Sequence, residues 1–306
     1  MSAETLARLS DLLVVAAVLL YLFSMIGFAL ELAFGKARAN AREKVPAMAG
    51  APAPVEEPAS PEPPAWAPRA GQVALVLGWL GWAANLGAIA TRGLSADRWP
   101  WGNMYEFVVA ICFAAVTAFL ATQLRQNVRF LGPFVMVTAA LGLGLAVKVF
   151  YTAAGPVVPA LNSYWVAIHV TAAILACGLF IVAGVCGILY LVRGDGLSRL
   201  PSRADLERVA HRTIVLAFPV WTFAVIAGAL WADKAWGRYW GWDPKEVWAF
   251  ITWVGYAAYL HARVTAGWRG RAATIVQLIA FACLLFNLVG VNIFISGLHS
   301  YADVSG

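Results

Sequence analysis

The densest chemistry in the chain lies in thirteen residues, Trp236-Gly-Arg-Tyr-Trp240-Gly-Trp242-Asp243-Pro-Lys-Glu246-Val-Trp248, flanked by two strongly apolar segments. Such a run suits a membrane surface, where indole rings sit at the headgroup level, and it offers a shelf for a large flat ligand. Six of the fourteen tryptophans (Trp231, Trp236, Trp240, Trp242, Trp248 and Trp253) fall within 23 residues, with Gly237 and Gly241 keeping the loop open. An ordinary interfacial belt accounts for one or two of them and poorly for six. Asp243-Pro244-Lys245-Glu246 fits a helix start, with Asp as N-cap, Pro at the first helical position and Glu at the third. The candidate binding surface is therefore Trp236, Arg238, Trp240, Trp242, Asp243 and Trp248. Arg238 and Lys245 could meet anionic groups of a ligand, while Asp243 and Lys245 suit helix capping and the interface equally well.

The other residues able to do such chemistry are four histidines, and the elements that carry them follow from composition. With 61% hydrophobic and 12% charged residues and a mean hydropathy of +0.74, 306 residues hold too little polar surface for a water-soluble globule. This is an all-α, polytopic membrane protein. A bilayer core of about 30 Å needs roughly 20 apolar residues per helix, and eight stretches qualify: 10–34, 71–91, 104–123, 130–149, 163–192, 213–233, 246–263 and 273–295. Lipid leaves no partner for a bare backbone amide, so all eight are expected to be helices.

The connections after the first, third, fifth and seventh stretches carry fifteen of the 22 basic residues. The positive-inside rule puts those loops in the cytoplasm, hence both termini and the Trp-rich loop 234–246 outside. The net charge of +6 is thereby explained without a nucleic-acid partner. The expected domains are an N-terminal transmembrane helix (1–35), an Ala/Pro-rich cytoplasmic linker (36–70) and a seven-helix unit (71–306). Cys112, Cys177, Cys186 and Cys283 all fall inside apolar stretches without a Cys-X-X-Cys pair, as small buried residues do. The Ala/Arg-rich, Lys-poor composition favours a bacterial cytoplasmic membrane over a thylakoid.

Topology sorts the histidines. His169 lies inside the outer end of the fifth stretch and His299 follows the eighth on the outer side, so both belong with the Trp-rich loop. A single histidine in an apolar helix is more often a packed side chain than a ligand. Two imidazoles on opposite faces of a porphyrin, however, hold its iron six-coordinate, and an aromatic shelf could take the porphyrin edge. His261 lies roughly 20 Å deeper, counted from Glu246 at about 1.5 Å per residue, so any metal it binds is a second site needing a further ligand. His211 is expected in the cytoplasmic loop before the sixth stretch. Glu106, at the outer start of the third, favours the helix dipole.

These residues resemble a family. Trp236-Gly-X-X-Trp240-X-Trp242-Asp243-Pro-Lys-Glu246 is similar to the signature loop, often called the WWD domain, of haem-handling proteins that mature c-type cytochromes, most closely the CcsA family, also named ResC and in some bacteria CcsB. Asn103-Met104-Tyr105-Glu106, Ser163-Tyr164-Trp165 with His169, Phe218-Pro219, and Asn287 through Gly297-Leu298-His299-Ser300-Tyr301 extend the likeness over about residues 71 to 301. The first helix and the linker carry no such signature.

The resemblance implies a subunit that, with a ResB-type membrane partner, forms a cytochrome c synthase. It carries haem b outward and joins its vinyl groups to the Cys-X-X-Cys-His segment of apocytochrome c. His169 and His299 would be the axial pair at the outer haem, and His261 one ligand of a membrane-embedded haem whose mate comes from the partner. His211 matches no ligand in that pattern. A haem exporter or chaperone without ligation activity is the alternative, although relatives of that kind are shorter, with fewer helices. A secondary transporter would show intramembrane charge pairs and broken helices, of which the sequence has few signs. A scaffold for the partner leaves the histidines and tryptophans unexplained.

Overall fold

The computed structural model describes residues 1–35, 64–157, 161, 163–193 and 200–299. Eight long helices follow one another: α1 (Ala3–Phe34), α2 (Trp66–Ala96), α3 (Met104–Arg125), α4 (Gly132–Val149), α5 (Tyr164–Val192), α6 (Arg203–Trp236), α7 (Pro244–Val264) and α8 (Gly270–Leu285). A π-helical turn, Phe286–Gly290, joins α8 to a last helical turn, Val291–Phe294. No strand occurs among the described residues. Seven of the helical stretches are long and apolar enough to cross a membrane. The exception is α7, whose 21 residues include Lys245, Glu246, His261 and Arg263. It nonetheless carries the chain from the end of α6 back to the start of α8.

All eight expected stretches are helices, and the differences lie at their starts. The polar residues 203–212 hide the first turns of α6 from a hydropathy reading. Ser202 caps this helix by accepting from the Asp205 amide, and Leu206, Val209 and Ala210 turn inward. His211, expected in a loop, is therefore inside α6, with Nδ1 3.3 Å from the Tyr259 hydroxyl of α7. Likewise α2 starts at Trp66, so 66–70 are helical rather than linker, while residues 36–63 of the linker lie outside the described residues.

In lipid the hydrophobic effect does not drive helix against helix; close packing and interhelical bonds of about 0.5–2 kcal/mol do. Along α1 and α2, Ser10 and Ser24 donate to the carbonyls of Ala88 (2.9 Å) and Ala74 (2.7 Å). Phe28 meets Phe119 of α3 edge-on at 5.8 Å, so α1 packs onto the bundle. The most buried span is α5, which lies between α3, α6 and α8, with Phe180 stacked on Tyr256 of α7 at 3.8 Å.

Successive connections alternate between two ends. At one end Glu207 accepts from Arg263 and from the Gly270 amide, and Arg129 pairs with Glu31. At the other, a buried carboxylate organises two loops. Glu106 accepts from Arg92 Nε (3.0 Å), from Arg98 Nη1 and Nη2 (2.8 and 2.9 Å) and from the Gly102 amide (2.8 Å). The same arginines donate to the carbonyls of Thr152 and Gly155. Residues 97–103 and 150–155 are thus pinned together, and Trp101 and Asn103 are held at the mouth of the site.

Candidate functional site

At the end held by Glu106, a cavity of about 150 Å³ opens between α3, α5, α6, α7 and the chain after α8. Both His169 and His299 line it. The Nδ1 of His169 is 2.7 Å from the carbonyl oxygen of Ala224, which can only accept, so Nδ1 carries the proton and the lone pair lies on Nε2. Gly228, one turn beyond Ala224, makes room for the ring: a Cβ there would come within 2.7 Å of His169 Cε1. The imidazole stacks on Trp231, with centroids 6.0 Å apart and planes 15° apart.

His299 approaches the same indole from another side. Its ring centroid is 5.7 Å from that of Trp231 and 5.2 Å from that of Trp236. Nδ1 donates to Asp243 Oδ2 at 2.8 Å, the carboxylate–histidine arrangement that fixes the tautomer and turn of metal-binding imidazoles. Asp243 also accepts from the main-chain amides of Leu298 (2.6 Å) and Lys245 (3.2 Å). Burial pushes the Asp243 carboxyl up, but the bonds from His299, Leu298 and Lys245 prevail and hold it below the ordinary carboxylate value. It is an anion at neutral pH.

The loop between α6 and α7 is closed by local bonds. Gly237 ends α6 in the left-handed region at φ 68°, the conformation that suits glycine after a helix. The carboxylate of Glu246 reaches back to the amides of Gly241 (2.8 Å) and Asp243 (3.0 Å), completing the capping box expected for this segment.

Of the site residues read from sequence, the structure brings together His169, His299, Trp236 and Trp240 on the cavity wall and places Asp243 directly behind His299. It does not bring the others there. Trp242 is 68% exposed and stands edge-on to Trp240, Trp248 packs on Phe286 at 4.3 Å, and Arg238 is exposed with its guanidinium folded over Gly241. His261 is exposed on the far part of α7, Nδ1 3.4 Å from the Thr265 hydroxyl.

Sequence reasoning missed Trp101, Trp221, Gly228 and Asn292, which also line the cavity. The α6 members carry a signal: Trp221, Ala224, Gly228, Trp231 and Trp236 recur at helical spacing on one face. Nothing comparable marks Trp101 or the π-helical turn.

Among the described residues, no three or more His, Cys, Asp or Glu side chains gather to hold a metal ion. Two imidazoles suit instead an iron whose remaining four ligands come from a macrocycle. The fold and site thus define a multi-pass helical membrane protein with a tryptophan-lined, paired-imidazole cavity at one end. Residues 101–299 match the family described as cytochrome C assembly protein, and the matched span begins and ends on cavity residues. The chain is similar to "Cytochrome c biogenesis protein CcsA" of Gloeobacter violaceus, 30% identical with 72% of this chain and 83% of the relative covered. The proteins of that name from Guillardia theta (32%; 70% and 80%) and Synechococcus elongatus (31%; 76% and 87%) are similar to it in the same way. The chain belongs to the CcsA family of cytochrome c assembly proteins. Its work is cytochrome c biogenesis, which means dealings with haem and with apocytochrome c.

Proposed function

We propose that this chain is the haem-handling subunit of a cytochrome c synthase. It receives haem b as substrate from within the membrane, holds it at the outer face, and presents it to the Cys-X-X-Cys-His segment of apocytochrome c while joined to a ResB-type partner. The observation that carries this reading is the convergence of His169 and His299 on one cavity, each with Nδ1 engaged by an oxygen. The wall of Trp231, Trp236 and Trp240 offers the flat faces that a porphyrin needs.

The division of labour follows from the side chains. In thioether formation a thiol adds across a vinyl double bond, sulfur to one carbon and hydrogen to the other, so no nucleophile from this chain is required. What the chain supplies is axial ligation, orientation and a partly dry enclosure. The substrate's own histidine could displace one axial imidazole and so loosen the product. The charge asymmetry of the loops supports an outward-facing cavity in a bacterial cytoplasmic membrane. In this reading His261, exposed on α7, shares a second haem with a ligand from the partner.

The test is the absorption spectrum and holocytochrome yield of the complex co-expressed with the partner. His169→Ala and His299→Ala should each shift the Soret band and lower yield, with partial rescue by added imidazole. His261→Ala should deplete haem at the inner position and thereby the outer loading. Unchanged spectra in both outer variants would remove the axial pair, and haem accumulation without thioether product in the wild type would favour an exporter.

A further inference from the structure

Two imidazoles on one axis leave a flat ligand free to spin about that axis. Placing one particular edge of a macrocycle next to an acceptor thiol needs a third point of attachment. Among the described residues lining the cavity, Lys245 is the sole lysine or arginine. Its ammonium donates to the main-chain carbonyl of Asn287 at 2.6 Å, in the π-helical turn where the register changes. An ammonium has three donors, and no ion pair to Lys245 occurs among the described residues. The neighbouring acid, Glu246, spends its Oε2 on two backbone amides.

The indole nitrogen of Trp101, also on the cavity lining, is a buried donor with no acceptor. Lys245 is half-buried, and beyond the neutral carbonyl it meets, its ammonium keeps donors for an anionic acceptor in the cavity. Arg238, the other candidate from the Trp-rich loop, is exposed and lies outside this wall.

We infer that Lys245 is the cavity's anchor for a ligand carboxylate, and hence the residue that fixes the rotational setting of the bound macrocycle. The inference rests on the haem reading above, under which the carboxylate is a propionate and the vinyl edge is turned away from Lys245. Lys245 is a positioning residue: it touches the substrate's far edge and takes no part in the bond that forms.

The test compares haem with its dimethyl ester, which keeps iron, ring and vinyl groups but carries no carboxylate. Purified full-length wild-type protein is titrated with each, followed by the Soret band. Wild type should prefer the free acid by about tenfold or more, the worth of a charge-assisted hydrogen bond. Lys245→Met should bind both within about threefold of each other, while Lys245→Arg and Arg238→Gln keep the preference. A Lys245→Met protein that still prefers the acid tenfold, or loss of the preference in Arg238→Gln, overturns the assignment. Failure of wild type to give an imidazole-dependent Soret band with either porphyrin would instead sink the haem reading itself.

Discussion

Asp243→Asn isolates the bond that aims His299. The carboxylate accepts on Oδ2 from His299 Nδ1 and the Lys245 amide, and on Oδ1 from the Leu298 amide. A carboxamide of the same shape has one acceptor and one donor end. With its oxygen towards His299, its NH2 group opposes the Leu298 amide. With the NH2 group towards His299, the imidazole must accept at Nδ1 and carry its proton on Nε2, where it cannot bind iron. Either way one contact to a charged acceptor, worth about 1.5–3 kcal/mol, is lost. Loss of such a supporting group typically costs 10–100-fold in metal affinity, so haem affinity should fall by about that factor. Helix α7 should suffer little, because Asn is as good an N-cap as Asp. The pH dependence has a definite sign. The folded carboxyl sits below its ordinary value of about 3.9, so its contribution is fully present above that pH and is lost as pH falls through the lower, folded value. The carboxylate's own share of the gap between wild type and Asp243→Asn should therefore persist down to that ordinary value and disappear only below it. The assay is haem titration by Soret absorbance above and below that value. Binding by Asp243→Asn within twofold of wild type at pH 7 would refute the supporting role.

Two further substitutions probe the scaffold. Gly228→Ala sets a methyl 2.7 Å from His169 Cε1 and 2.8 Å from Nδ1, so the imidazole must move. Haem affinity should drop at least tenfold, whereas Gly144→Ala, whose Cβ meets nothing within 4 Å, should leave it unchanged; equal behaviour of the two in a Soret titration would argue against a set ring at His169. Glu106→Ala strips the shared acceptor from Arg92 and Arg98, whose side chains are 3% and 14% exposed. Removing one partner from such a buried cluster costs about 3–5 kcal/mol, which should appear as a lowered unfolding midpoint in detergent together with weaker haem binding as the Trp101 loop loosens; a midpoint equal to wild type would show that the loop is held by other means.

The eight helices were legible because lipid imposes a length and a composition that a sequence cannot hide. The same rule failed where lipid was not the judge. The first ten residues of α6 are polar and amphipathic, and only Ser202 marks their start. Conversely the start of α7, a helix not apolar enough to count as a span by composition, was marked by Asp243-Pro-Lys-Glu246, a signal of backbone capping. The meeting of His169 with His299 followed from counting crossings, since an even number of spans, α5 to α8, separates the outer ends on which they lie. The wall opposite them did not follow. Trp101 is held at the mouth by the loop that Glu106, Arg92 and Arg98 fasten, and no local spacing encodes such a contact. The carbonyl that meets Lys245 arises from a π-helical turn within an unremarkable apolar run.

Asp243 shows why capping and function were a false choice at this loop. The sequence admits it as the N-cap of α7 or as part of a ligand site, and the structure gives one carboxylate both tasks: one oxygen serves the Lys245 amide and His299, the other the Leu298 amide. Folding the first turn of α7 therefore sets the carboxylate, and the carboxylate sets the chain that follows α8 and its imidazole. Glu246 adds the return bond to Asp243 and Gly241, so the Trp-rich loop, the helix start and His299 form one unit. A change anywhere in that unit should reach haem affinity through the angle of one ring, even where the altered residue lies off the cavity wall.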